Sequence, residues 1–130
     1  MVAFLNPPTV HVPGGAYSHS ALVPGGTELL FLSGQVGVRP DGSLPSSVGD
    51  QAEQVFANIG ALLKAHGLDA SALVKITMFV VAGRDMQAVR AARAKFMGEH
   101  RPASTAVFVS QLVDPAWHVE VEAVAAKTKA

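Results

Sequence analysis

HRPASTAVFVSQLVDPAWHVEVEAVAA, His100–Ala126, is the stretch whose reading decides the fold. It holds two β-type runs, Thr105–Ser110 and His118–Ala126, both rich in valine and separated by turn material that includes Asp114-Pro115. In the second run Val119, Val121 and Ala123 alternate with His118, Glu120 and Glu122. A strand sends successive side chains to opposite faces, so one face is apolar and the other carries two carboxylates in a row. On an exposed sheet such carboxylates are simply solvated. If the face lines a cleft, one of them becomes a general acid/base or a water-positioning group.

Upstream, Val74–Val81 (VKITMFVV) is a nearly continuous apolar β run, with Lys75 and Thr77 polar on one face. Asp85 after Gly83-Arg84 is a good N-cap for a helix ending near Met97 or Gly98, with Met86, Val89, Ala92, Phe96 and Met97 as its buried stripe. Arg90, Arg93 and Lys95 fall outside that stripe and read as solvated surface. Before this, Ser47 caps a longer helix in which Ala52, Val55, Phe56, Ile59, Leu62 and Leu63 form one apolar face. Gly67 fits the left-handed position after its end.

The N-terminal part reads as a Pro- and Gly-punctuated arm with a short edge strand near Ala3–Leu5, followed by Tyr17, Ser18 and His19, either surface polar residues beside a turn or groups at a pocket mouth. Ala21–Val23 and Glu28–Leu32, flanking Pro24-Gly25-Gly26-Thr27, read as a β-hairpin. Gly34, directly after the apolar LLFL run, marks a bend, a bulge or a place where another group approaches the backbone.

With 130 residues and 49% hydrophobic content the chain is one domain, 1–130. Ten basic and ten acidic side chains cancel, which removes the electrostatic case for a nucleic-acid or membrane-surface partner. The absence of cysteine excludes disulfides, thiolate nucleophiles and Cys-based zinc sites. No apolar run is long enough to span a bilayer and no targeting segment is recognisable, so a soluble, cytoplasmic protein is expected. The order of elements gives an α+β two-layer fold with about six strands in one mixed sheet and two helices on one face. The other face stays bare although LLFL and VKITMFVV are apolar on both sides. Only 15% of residues are charged, so association between copies is expected to cover it.

In their order and spacing these residues resemble the RidA family, also called YjgF, over nearly the whole chain. The matching features are Tyr17 in the N-terminal loop, SGQVG at Ser33–Gly37, VKITMFV at Val74–Val80 between the helices, Pro102-Ala103 before a strand, and VEVEAVA at Val119–Ala125. The resemblance implies a chorismate-mutase-like fold assembled as a homotrimer, with sheets facing inward and a small-molecule ligand in each of three intersubunit clefts. It implies hydrolysis of reactive enamines and 2-imino acids to 2-keto acids and ammonia, without metal or organic cofactor. Carried over by position, Glu120 matches the acidic residue that activates or positions water, Tyr17 the pocket tyrosine, and Ser33 and Gly34 the cleft lining.

The chain departs from the family pattern where the substrate carboxylate is held. The family arginine after Pro-Ala is Ser104 here, the asparagine of the second helix is Arg90, and the glutamine after the pocket tyrosine is His19. A serine offers one neutral donor in place of a charged fork. Losing such a pair costs about 2–5 kcal/mol, on the order of 30- to 3,000-fold in affinity. Either a displaced cation (Arg101, Arg90 or Arg93) takes over, or the chain is a divergent branch with a different ligand. The expected substrate-binding set is therefore Tyr17, Ser33, Gly34, Arg90, Arg101 and Ser104 around a catalytic Glu120. The alternative to an enzyme is a non-catalytic, small-molecule-binding or chaperone-like trimer of the same fold.

Overall fold

A computed structural model describes residues 1–128. In chain order the elements are β1 (Ala3–Leu5), β2 (Ser20–Leu22), β3 (Glu28–Val36), α1 (Val48–Ala65), a 3-10 turn at Ala70–Ala72, β4 (Leu73–Val81), α2 (Met86–Met97), β5 (Ala103–Val109) and β6 (Val119–Lys127). Four strands form a mixed sheet in the order β3-β6-β4-β5, with β4 and β5 parallel and the other neighbours antiparallel. The two short strands pair with each other and join the β5 edge through a bridge between Ser18 and Ala103. The fold is thus the expected two-layer α+β arrangement of six strands and two helices.

Local chemistry accounts for the helix limits. Ser47 Oγ accepts the Asp50 N–H at 3.1 Å and Asp85 accepts the Gln87 N–H at 2.9 Å, each satisfying an otherwise orphaned donor. Gly67, at φ +74°, ends α1 in the left-handed region where a Cβ would be strained. Both helices lie on one face of the sheet. Val55, Phe56, Ile59 and Leu63 from α1 and Val89 and Ala92 from α2 bury Leu32, Ile76, Met78, Val80, Val119 and Val121. Phe56 stacks on Phe96 at 5.4 Å and ties the helices together.

Two expectations are corrected. The Ala21–Val23 segment does not form a hairpin with β3; β2 pairs with β1, from Ala3–Leu22 to Leu5–Ser20. A long ladder wins over a short one: β3 pairs with β6 from Glu28–Lys127 to Val36–Glu120, a partner no three-residue strand can match. The second correction concerns Arg93, which is buried, at 8% exposure, and not solvated surface. Val89, Arg93 and Met97 succeed one another at four-residue spacing, so they share the face that packs inward.

The second sheet face carries no helix. Phe31 is 71% exposed on it, and Val107 is also exposed. No helix among the described residues is long and apolar enough to cross a membrane.

Candidate functional site

All the predicted site residues but Arg101 fall into two groups on opposite faces of the sheet. On the bare face, Glu120 of β6 lies between Val36 of β3 and Phe79 of β4 in the strand register. The β3–β6 register shifts between Leu32 and Gln35, so Ser33 and Gly34 form a bulge. The Gln35 side chain braces it by donating to the Ser33 carbonyl at 3.1 Å. Glu120 folds its carboxylate directly over Gly34: a Cβ there would lie 2.8 Å from Glu120 Cδ and closer still to its oxygen. Close approach of a functional group is therefore the reason for glycine at this position. The arrangement sets one half-buried carboxylate against a short length of backbone that has left the ladder.

The second group lies on the helix side, under the loop before β2. Ser104 faces Ile76 in the β4–β5 register, on the core side, whereas Glu120 faces Phe79 on the bare side. A cleft of about 400 Å³ opens here, lined by Gly15, Tyr17, Arg90, Arg93, Ser104 and their neighbours. Tyr17 owes its place to Ser18, which is buried. The Ser18 hydroxyl donates to the Arg101 carbonyl at 2.5 Å and its N–H to the Pro102 carbonyl at 3.2 Å. His19 packs edge-on against Tyr17 at 5.7 Å and donates from Nε2 to the His11 carbonyl.

The electrostatics of this cleft are one-sided. Arg93 Nε and Nη2 are buried and without a hydrogen-bond partner. Burial foremost, then the charges of Arg101 and Arg90, lower its pKa from the ordinary arginine value. Among the described residues no carboxylate lines the cleft. Among the described residues the ion pair within 4 Å is Lys95–Glu53, on exposed surface.

The structure thus brings Tyr17, Arg90 and Ser104 together, and separately Ser33, Gly34 and Glu120. Arg101 joins neither group: it donates to the Gly98 and His100 carbonyls, where its charge suits the C-terminal end of α2. Gln51 and Asn58 escaped the sequence reading as parts of the frame, whereas Ser18 and Arg93 were among its candidates, Ser18 as a pocket-mouth group and Arg93 as a displaced cation. Gln51 donates to the Pro45 and Ala116 carbonyls and accepts the His118 N–H, which sets the entry of β6 two residues before Glu120. Asn58 donates to the Val36 and Val38 carbonyls and holds the end of β3. Ser18 pins the loop. The available signal was a polar residue at an apolar-stripe position: Gln51 precedes Val55 and Ile59 by four and eight residues, as Arg93 stands between Val89 and Met97.

The family model described as Endoribonuclease L-PSP matches residues 9–127. The chain is similar to Protein HMF1 of Saccharomyces cerevisiae, 36% identical over 116 residues that cover 86% of this chain and 84% of that one. It is also similar to the 2-iminobutanoate/2-iminopropanoate deaminase of Capra hircus, 35% identical over 113 residues that cover 85% and 80%. Among solved structures, a Yersinia pestis protein of unknown function from the conserved Rid protein family, YyfB, superposes with a TM-score of 0.84 at 26% identity, covering 95% of this chain and 97% of that one.

Proposed function

The chain belongs to the RidA/YjgF family, and from that membership we propose that it hydrolyses small reactive imines or enamines, in clefts completed between copies of itself and with neither metal nor organic cofactor. The observation that carries this reading is the Glu120 carboxylate held over the Gly34 bulge. An imine carbon is electrophilic enough for water to attack once the water is oriented and its proton has an acceptor. Glu120 takes that proton as the new C–O bond forms and passes it to nitrogen, giving a neutral carbinolamine. It then takes the hydroxyl proton and delivers it to nitrogen as the C–N bond breaks and the C=O bond forms, so that ammonia leaves behind a carbonyl compound. Imine and water enter, carbonyl compound and ammonia leave, and the carboxylate ends as it began. Backbone groups freed from the ladder at the bulge serve as the polar contacts for the developing charge.

One copy cannot do this alone, because Tyr17 and Ser104 lie on the face opposite Glu120. The bare face of one copy, with Phe31 and Val107 exposed, seats against the β5 edge and α2 of the next. Two different patches meeting in this way make a heterologous contact, which forms a ring when the rotation closes, and we take the ring as three copies, the number the family resemblance implies. A polyanionic RNA substrate has less support: the net charge is zero, and the arginines that converge do so inside a cleft.

The test is a coupled assay in which a pyridoxal-phosphate dehydratase supplies a 2-imino acid and ammonia release is followed in the presence of this protein. Acceleration is expected, falling about 100-fold or more in Glu120→Gln, the range of a lost general base. No acceleration over buffer with an intact assembly would favour the non-catalytic binding protein, a reading to which the serine at position 104 lends weight.

A further inference from the structure

Within its own copy Arg93 is a buried cation with nothing among the described residues to neutralise it. It is 8% exposed, two of its three guanidinium nitrogens are sealed, and among the described residues neither a hydrogen-bond partner for them nor a carboxylate lining the cleft is found. A guanidinium stays charged at any working pH, and a buried unpaired charge is among the costliest features a fold can hold. Three neighbours give the burial a direction. Ser104, where an arginine side chain would occupy the strand side, leaves the cleft open toward α2; Arg90 lines the same cleft; and Tyr17 closes it from the loop.

We propose that Arg93 is the anion anchor of this protein, and that with Arg90 it binds the carboxylate of a small ligand from the helix side of the cleft, in place of a cation at position 104. The assignment rests on the hydrolase reading for what happens to the ligand afterwards but not for the binding itself. It selects substrates that carry a carboxylate beside the carbon–nitrogen double bond over neutral imines. It also separates the two candidates on the helix from Arg101, whose guanidinium is engaged with the carbonyls at the end of α2. Arg93 is a specificity-determining residue here: it orients the ligand and takes no part in moving protons.

The probe is 2-oxobutanoate, the carboxylate-bearing product type, compared with butanone, which has the same carbon skeleton without the carboxylate. Calorimetric titration of the assembled wild-type protein is expected to show 2-oxobutanoate binding that weakens with added salt, and no binding of butanone. In Arg93→Met the affinity for 2-oxobutanoate falls about 30-fold or more, the loss expected when a desolvated charge partner is removed. Arg93→Lys, which keeps the charge and loses the fork, falls in between. Equal binding of butanone, or Arg93→Met binding 2-oxobutanoate as wild type does, overturns the proposal. So does dissociation of the Arg93→Met assembly in sedimentation, because Arg93 would then be paired with a carboxylate of the neighbouring copy. If Arg93→Met does not fold, Arg93→Lys decides: undiminished affinity there also overturns it. Carboxylate binding that depends on Arg93 without imine hydrolysis would leave this assignment standing and the hydrolase reading fallen; hydrolysis indifferent to Arg93 would do the reverse.

Discussion

Gln51 near the start of α1 and Arg93 in the middle of α2 are both long polar side chains sealed on the helix side of the sheet, and they are held in opposite ways. Gln51, 0% exposed, makes three hydrogen bonds to backbone groups of two other segments, and Gly37 packs flat against its backbone. Arg93 leaves two buried nitrogens unpaired beside an open cleft. The contrast separates two reasons for burying a polar group. One that finds every partner within the chain holds the fold together; one that finds none is kept for something the chain does not supply. Gly34 within β3 and Gly37 just after it repeat the lesson on the two sheet faces. A Cβ at Gly37 would strike the backbone of α1, whereas a Cβ at Gly34 would strike only the movable end of Glu120.

The comparison is tested hardest at Gln51. Gln51→Leu leaves two buried carbonyls and one N–H without partners and should cost about 2–4 kcal/mol in urea unfolding. Arg93→Met should leave stability unchanged or slightly raised when no ligand is present, because an unpaired buried charge gives way to a side chain of similar length. If the two variants lose equal stability, the distinction drawn between them is wrong.

At the glycines the effects are smaller and fall on different properties. Gly37→Ala must push two backbones apart and should cost about 1–3 kcal/mol, with turnover per folded molecule little changed. Gly34→Ala should cost under about 1 kcal/mol, since a carboxylate can swing aside, yet lower turnover about 100-fold by moving Glu120 off its position. Equal rates for the two variants would detach Glu120 from the chemistry.

Asp69 extends the comparison to an exposed polar group. Its pKa is lowered by hydrogen bonds from the Ser71 hydroxyl and Ser71 N–H, which cap the 3-10 turn before β4. A carboxyl group with a lowered folded-state pKa contributes stability above its ordinary value and loses it as pH falls through the lowered one. An NMR titration should therefore place Asp69 below the usual aspartate midpoint in the folded protein, and Ser71→Ala should return it toward that midpoint with only a small change in stability.

Much of this was legible along the chain because it is local. The Ser47 and Asp85 caps, Gly67, the period-two alternation of Val119–Ala125 and the bulge at Gly34 are each decided within a few residues. What was not legible is non-local. Whether β2 pairs with β1 or β3 depends on β6 arriving from ninety residues away to claim β3. That Ser104 and Glu120 face opposite sides depends on the registers of β5 and β6 against β4, where a shift of one residue reverses the outcome. Arg93 was hidden by its charge: the spacing of Val89 and Met97 placed it inward, and the ordinary preference of arginine for water argued the other way.

The central claim is that each working cleft takes Glu120 from one copy and Arg93 with Tyr17 from the next, and subunit mixing tests it most directly. Glu120→Gln and Arg93→Met proteins, each strongly impaired as a uniform assembly, are unfolded together, refolded at equal concentrations and assayed for imine hydrolysis. If the halves come from different copies, random assembly leaves about one cleft in four with both intact halves, and about a quarter of the wild-type rate returns. A mixture no more active than the mean of its two parents would place both halves in one copy and contradict the account.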